Sequence, residues 1–199
     1  MELFELINNL SLKLNEVLLN AGMWAPLISS FLIIAEGILA FLPLVVFVTI
    51  NILSLGYIVG GFVSWIFTIA GSFLAFLLFR KGFSSFFQKK IENSKKLEKF
   101  MDSIDNLKFR QLVLIIAIPF APSFFINLGA GLSTISIKKY FYALLIGKVF
   151  VIIFLGYIGS SILECFTNPI ILIKVVLLIL LAYLLAQVVN KKFDLDGRF

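Results

Sequence analysis

The chain has 199 residues, 61% of them hydrophobic and 14% charged, with 17 basic and 11 acidic side chains and no histidine. Its mean hydropathy of +1.08 excludes a water-soluble domain, which could not cover its surface with so few charges, and marks an integral membrane protein. The net charge of +6 sits in short clusters between apolar runs, so anionic lipid headgroups, not nucleic acid, are the expected counter-charge.

Residues 3–20 place Leu3, Phe4, Ile7, Leu10, Leu14, Val17 and Leu18 at helical spacing, with Glu5, Asn9, Lys13 and Glu16 on another face. This predicts an amphipathic interfacial helix over 1–22. No basic n-region precedes it, so it does not read as a cleaved signal. From Trp24 to Phe79 the only charge is Glu36, and the run is too long for one crossing of roughly 20 residues. Pro43, Asn51 and the Gly56, Gly60, Gly61 cluster divide it into a broken segment, 26–54, and a spanning helix, 56–79. Residues 80–110 hold nine of the seventeen basic residues beside four acids and read as a cytoplasmic loop. Gln111 to Ile137 is uncharged but interrupted by Pro119, Pro122, Gly129 and Gly131. A helix over 140–163, a short link, a helix over 170–190 and a cytoplasmic tail, 191–199, complete the chain.

Charge placement bears on whether 111–137 crosses the membrane. A crossing puts Lys138, Lys139, Lys191 and Lys192 outside, against the positive-inside bias, whereas a segment that enters and returns keeps every basic cluster in the cytoplasm. The re-entrant hairpin is the favoured reading over a single proline-kinked helix. The same logic makes 26–54 a second hairpin entering from outside. The predicted fold is an all-α membrane domain over 23–190: two opposed re-entrant helical hairpins in an inverted repeat plus about three spanning helices. The N-terminus lies outside the plasma membrane and the C-terminus in the cytoplasm. Sliding the chain by 76 positions superposes Pro43 on Pro119, Asn51 on Asn127 and Gly71 on Gly147. Paired interrupted segments in inverted halves point to a substrate site near the midplane.

Broken backbone at membrane depth leaves N–H and C=O groups that lipid cannot satisfy, so opposed hairpins imply a polar pocket. The helix restarting after Pro122 would point its first N–H groups at an anion such as a phosphate. Asn51 and Asn127 are candidates to bond a ligand there, or else to cap and bridge broken helix ends. Glu36 and Lys148 are expensive facing lipid. They are candidates for a buried ion pair, for proton uptake by Glu36 and for capture of an anionic headgroup by Lys148. Alternatively, Glu36 lies near the outer interface and Lys148 snorkels to water. The lack of histidine and the single Cys165 exclude a Cys–His nucleophile pair, a His/Cys zinc site and an intrachain disulfide. An enzyme is therefore not expected, nor a metal or other cofactor.

The stretch Glu36 to Arg80, with a proline seven residues after its acid, then "INILSLG", "GGFVSW" and "AFLLFR", resembles the first half of the DedA superfamily, the VTT-domain or SNARE-associated Golgi protein family. "IPFAPSFFINLGAGLSTISIKKYFYALLIGK" followed by "GYIGS" resembles that family's P-x-x-P-x-x-x-x-N and A-G-L signature. The likeness covers roughly residues 30–162. It implies opposed re-entrant hairpins and movement of lipids across the bilayer. Bacterial members are linked to undecaprenyl phosphate recycling and phosphatidylethanolamine handling, and eukaryotic relatives to phospholipid scrambling. The family's acid falls on Glu36 and its hairpin residues on Pro119, Pro122, Asn127 and Gly131. Ile116 stands where the pattern usually has an arginine; either Lys148 substitutes for that charge or this branch moves something less acidic. The expected function is lipid translocation or scrambling of a phosphorylated headgroup, with proton coupling through Glu36. The alternatives are a proton-coupled transporter of a small solute and a membrane organiser that transports nothing.

Overall fold

The apolar runs are helical because nothing in them competes with the backbone ladder, and they stop where proline or glycine interrupts it. The computed structural model describes residues 20–39, 42–82, 103–119, 123–161 and 169–193. Most of the expected interfacial helix, Pro122 and most of the loop and tail lie outside these residues. Helix α1 (Trp24–Ile38) ends before Pro43, whose fixed φ starts α2 (Leu44–Leu55). Gly56, at φ +82°, makes the left-handed step from α2 into α3 (Tyr57–Lys81). α4 (Phe109–Ala117) and α5 (Ser123–Leu132) flank the second break, and α6 (Ile137–Ser161) and α7 (Pro169–Phe193) follow. Of these, α3 and α6, each 25 residues, are long and apolar enough to cross a bilayer.

α3 and α6 run antiparallel. Phe76 stacks on Tyr140 at 4.4 Å between ring centres, Trp65 Nε1 donates to the Leu145 carbonyl at 3.1 Å and Tyr57 Oη donates to that of Ile153 at 3.4 Å. α1 runs parallel to α3, with Phe31 against Phe67 and Gly37 against Gly71. α2 returns toward the start of α3, where Asn51 reaches Ser29 and Ser30 on one side and Ser64 on the other. The first broken segment therefore begins and ends at the Tyr57 end of the bundle. The second begins and ends at the opposite end: Lys139 Nζ donates to the Leu107 carbonyl at 2.6 Å, just before α4. Arg80 Nη1 donates to the Ile135 carbonyl at 2.7 Å, just after α5.

The packing alternates between halves. α1 lies on α3 and α4 on α6, whereas α2 lies between α3 and α6 and α5 crosses to α3. Apolar burial distinguishes poorly between helices in lipid, so close backbone approach and polar contacts fix this arrangement. A Cβ at Gly37 would lie 2.4 Å from the Gly71 carbonyl carbon, and one at Gly60 2.3 Å from the Asn51 carbonyl oxygen. Neither contact survives a larger residue. α7 touches α4 and α6 only lightly, and its apolar side chains are mostly exposed.

Two boundaries differ from the sequence reading. α3 continues through Lys81, which makes Arg80 part of the last helical turn and not of the loop. Residues 103–108, expected in a solvated loop, instead bury Ile104 and Leu107. Asp105 holds them there by accepting from the Thr134 backbone N–H at 2.6 Å and from its hydroxyl at 3.1 Å. α6 also starts earlier than expected, at Ile137, because Ser136 accepts the Lys139 N–H at 3.3 Å as a cap.

Candidate functional site

The tips of the two broken segments come together near the middle of α3 and α6. Gly37, at the end of α1, packs on Gly71 in the middle of α3, and its carbonyl accepts from Asn127 Nδ2 on α5 at 2.9 Å. Glu36 sits immediately before that contact. On the facing side Lys148, in the middle of α6, is 3% exposed and donates to Ser123 Oγ at 3.0 Å. Glu36 and Lys148 are close enough to interact electrostatically. They do not pair directly, since Glu36 Oε2 is buried without a hydrogen-bond partner among the described residues. Ser72 Oγ, next to Gly71, is the other side-chain atom in that condition. Unmade bonds of buried groups cost about 1–3 kcal/mol each, and such clusters are expected where a ligand completes them.

Ser123 is the first residue of α5. The opening N–H groups of a helix lack intrahelical acceptors and carry the positive end of its dipole. With Lys148 bonded to the same residue, a basic side chain lies beside the first turn of α5. Glu36 stands within electrostatic reach of Lys148. By its chemistry the α5 terminus with Lys148 suits an anion, and Glu36 suits a proton or a cationic group.

The expected site residues divide. Glu36, Asn127 and Lys148 meet at the tips, and Pro43 and Pro119 bound the two breaks. Asn51 does not join them: its Oδ1 accepts from Ser29 Oγ, and its Nδ2 donates to Ser64 Oγ at 3.0 Å and Ser30 Oγ at 3.3 Å. Its bonding capacity is spent tying α1, α2 and α3. Gly131 is a packing position, where a Cβ would come within 2.7 Å of Phe79 Cβ.

Sequence reasoning missed Ser123, Ser72, Tyr140 and Arg80. Tyr140, fully buried, donates to Asn127 Oδ1 at 2.6 Å. The 76-residue offset held the signal for two of them, since it maps Ser64, the partner of Asn51, onto Tyr140, and Ser72 onto Lys148. Arg80 offered no such clue. Its guanidinium donates to the carbonyls of Ala130, Gly131, Ser133 and Ile135 at 2.7–3.1 Å and lies over the Phe76 ring at 4.4 Å. It satisfies two carbonyls of the last turn of α5, Ala130 and Gly131, and two of the residues that follow, and so anchors the end of the helix that carries Ser123 and Asn127.

Residues 25–161 match the model of the VTT domain. The chain is 32% identical over 182 residues to an uncharacterized membrane protein, YhjE, of Bacillus subtilis strain 168, covering 89% of this chain and 86% of that one. It is 28% identical over 128 residues to an uncharacterized protein, YqeD, of the same organism, covering 64% and 62%. No solved structure matches.

Proposed function

This chain belongs to the VTT-domain (DedA) family of membrane proteins, and on that footing we propose that it moves lipids across the plasma membrane, shielding a phosphorylated headgroup between two re-entrant hairpins while the tail stays in the bilayer. The observation that carries this reading is the mid-depth meeting of Glu36, Lys148 and the start of α5, with buried polar atoms left unbonded. A headgroup crossing hydrocarbon needs replacements for its lost water. The Lys148 ammonium and α5 N–H groups suit the phosphate. Glu36, able to gain or lose a proton, adjusts the net charge of the site as the headgroup passes.

Placing the Lys81 end of the bundle in the cytoplasm makes both broken segments re-entrant from opposite faces. The shared ends of each segment and the alternating packing support an inverted repeat. In such repeats access alternates by rocking one half against the other about a fixed site. No metal or cofactor enters this mechanism, which uses the chain's own donors and acceptors.

The test is transbilayer movement of labelled lipids in proteoliposomes across a pH series, for the native chain and for Glu36→Gln. The substitution is expected to slow transfer and flatten its pH dependence. An undiminished, equally pH-sensitive rate removes Glu36 from the mechanism. Orientation is checked separately with cysteines at Arg110 and Lys138 in a Cys165→Ser background. Both should react from the cytoplasmic face and stay protected in intact cells.

A further inference from the structure

Both halves of the chain repeat one pair: an asparagine in the broken segment bonds the side chain of a residue thirteen positions later, on the spanning helix that follows. The polarity of the bond differs. Ser64 Oγ accepts from Asn51 Nδ2 at 3.0 Å, and Ser30 and Ser29 take up the rest of that amide, so it is spent within its own half. Tyr140 Oη instead donates to Asn127 Oδ1 at 2.6 Å. A hydroxyl that gives its proton to the amide oxygen leaves the amide N–H groups to find an acceptor elsewhere. Asn127 Nδ2 finds it 2.9 Å away, at the Gly37 carbonyl of the other half. Gly37 lies in the last turn of α1, where carbonyls run out of intrahelical donors, so the bond meets a need on both sides. Tyr140 is fully buried and Asn127 nearly so, which keeps water from competing for either group. The near-parallel stack of Tyr140 on Phe76, with planes 17° apart, fixes where the hydroxyl points.

We propose that Tyr140 is a positioning residue for the site: by occupying Asn127 Oδ1 it directs the amide N–H to Gly37 and so clasps the end of α1 to α5. This rests on the lipid-translocation reading and deepens it. Glu36 precedes Gly37 in the chain, and Ser123, which receives the Lys148 bond, lies one helical turn before Asn127 on α5. The clasp therefore sets how far the acidic side of the site stands from the basic side, and Tyr140 acts on both through Asn127. Without its hydroxyl, Asn127 Oδ1 would lose its donor among the apolar side chains packed around Tyr140, Ile126 and Ala130. The amide would then no longer have one favoured orientation, and the Gly37 carbonyl would lose a dependable partner. A serine, as at the equivalent position 64, would lack the ring that packs on Phe76 and would hold its hydroxyl back against α6.

The experiment follows hydrogen–deuterium exchange of the full chain in detergent, read by mass spectrometry at the end of α1, 36–39, beside lipid transfer in proteoliposomes. Tyr140→Phe keeps the ring on Phe76 and deletes only the hydroxyl. It is expected to speed exchange at 36–39 about fivefold while α3 and α6 stay as protected as before, and to lower lipid transfer severalfold. Asn127→Ala should have the same local effect, and the double variant no more than either alone, because each removes the same clasp. Ser64→Ala, the equivalent loss in the first half, should leave 36–39 unchanged. Equal loosening by Ser64→Ala, or a rise spread evenly over α3 and α6, would reduce Tyr140 to packing and overturn the proposal. Unchanged exchange in Tyr140→Phe would overturn it too, and if that variant does not fold, unchanged exchange at 36–39 in Asn127→Ala decides the same way. A local rise with transfer undiminished would confine the clasp to structure and overturn its assignment to the site. A local rise in a protein whose native chain transfers no lipid keeps the clasp and rejects translocation. Transfer by the native chain with no local response to Tyr140→Phe does the reverse.

Discussion

In the first broken segment, α1 and α2 lie against each other and against α3, and Asn51 ties all three through Ser29, Ser30 and Ser64. In the second, α4 and α5 make no comparable contact with each other. α4 leans on α6, while α5 leans on α3 and is held at its end by Arg80. The asparagines at equivalent positions follow the same division. Asn51 serves its own half, whereas Asn127 bonds Tyr140 in its own half and Gly37 in the other. A segment whose legs are bound to each other, as α1 and α2 are even though α2 also touches α6, moves largely as one piece. A segment whose legs are bound to different spanning helices is pulled apart when those helices shift. The comparison assigns stability chiefly to the first segment and the ligand-responsive step to the second.

The sharpest way to break this comparison is a pair of glycine substitutions at related places. Gly71→Leu meets the backbone of Ile33 and Ile34, which cannot move aside, whereas Gly147→Leu first meets the Ile116 side chain. Overpacking costs about 1–3 kcal/mol and more against rigid backbone. Gly71→Leu is therefore expected to abolish folded yield, and Gly147→Leu to lower the midpoint of thermal unfolding in detergent while leaving a folded protein. Equal losses would erase the distinction.

Asn51→Ala and Asn127→Ala form the next test. Removing Asn51 withdraws the shared partner of three serines and should cost about 2 kcal/mol, read as a lower unfolding midpoint with per-molecule lipid transfer retained. Asn127→Ala should reduce transfer severalfold beyond its effect on stability, because it cuts the bond between the two tips. The opposite assignment of the two phenotypes would reverse the roles given to the segments.

Arg80→Lys keeps the charge but cannot reach four carbonyls with one ammonium. It is expected to cost about 1–2 kcal/mol and to weaken apparent lipid affinity in the transport assay, since α5 loses its axial anchor. An unchanged affinity would confine Arg80 to stability. The smallest effect belongs to Asp105→Asn. This side chain is partly exposed and its substitute still accepts one bond from Thr134, so a change of about 0.5 kcal/mol or less is expected, within the error of thermal unfolding.

Much of this was legible in the chain itself. The positions of the breaks follow from Pro43, Pro119 and the glycines. Glu36 and Lys148 stand out because ionisable residues in apolar runs are costly. The clamp by Arg80 was hidden, because a basic residue after an apolar run reads as the start of a solvated loop until the carbonyls it reaches, fifty or more positions away, are placed beside it. The role of Asn51 was hidden for a related reason: its three serine partners carry no pattern that separates a satisfied network from a ligand site.

Composition and the spacing of prolines, glycines and charges determined that the chain lives in lipid, that its helices break twice, and which few polar residues must be accounted for, since each of these depends on transfer energies of single residues and short runs. Tertiary structure alone decided that each broken segment ends where it began, that its second helix reaches the other half, and that Glu36 comes within electrostatic reach of Lys148 while Asn51 is tied up elsewhere. Those outcomes depend on how closely two backbones approach and on which donor finds which acceptor across the fold, quantities that no local stretch of sequence contains.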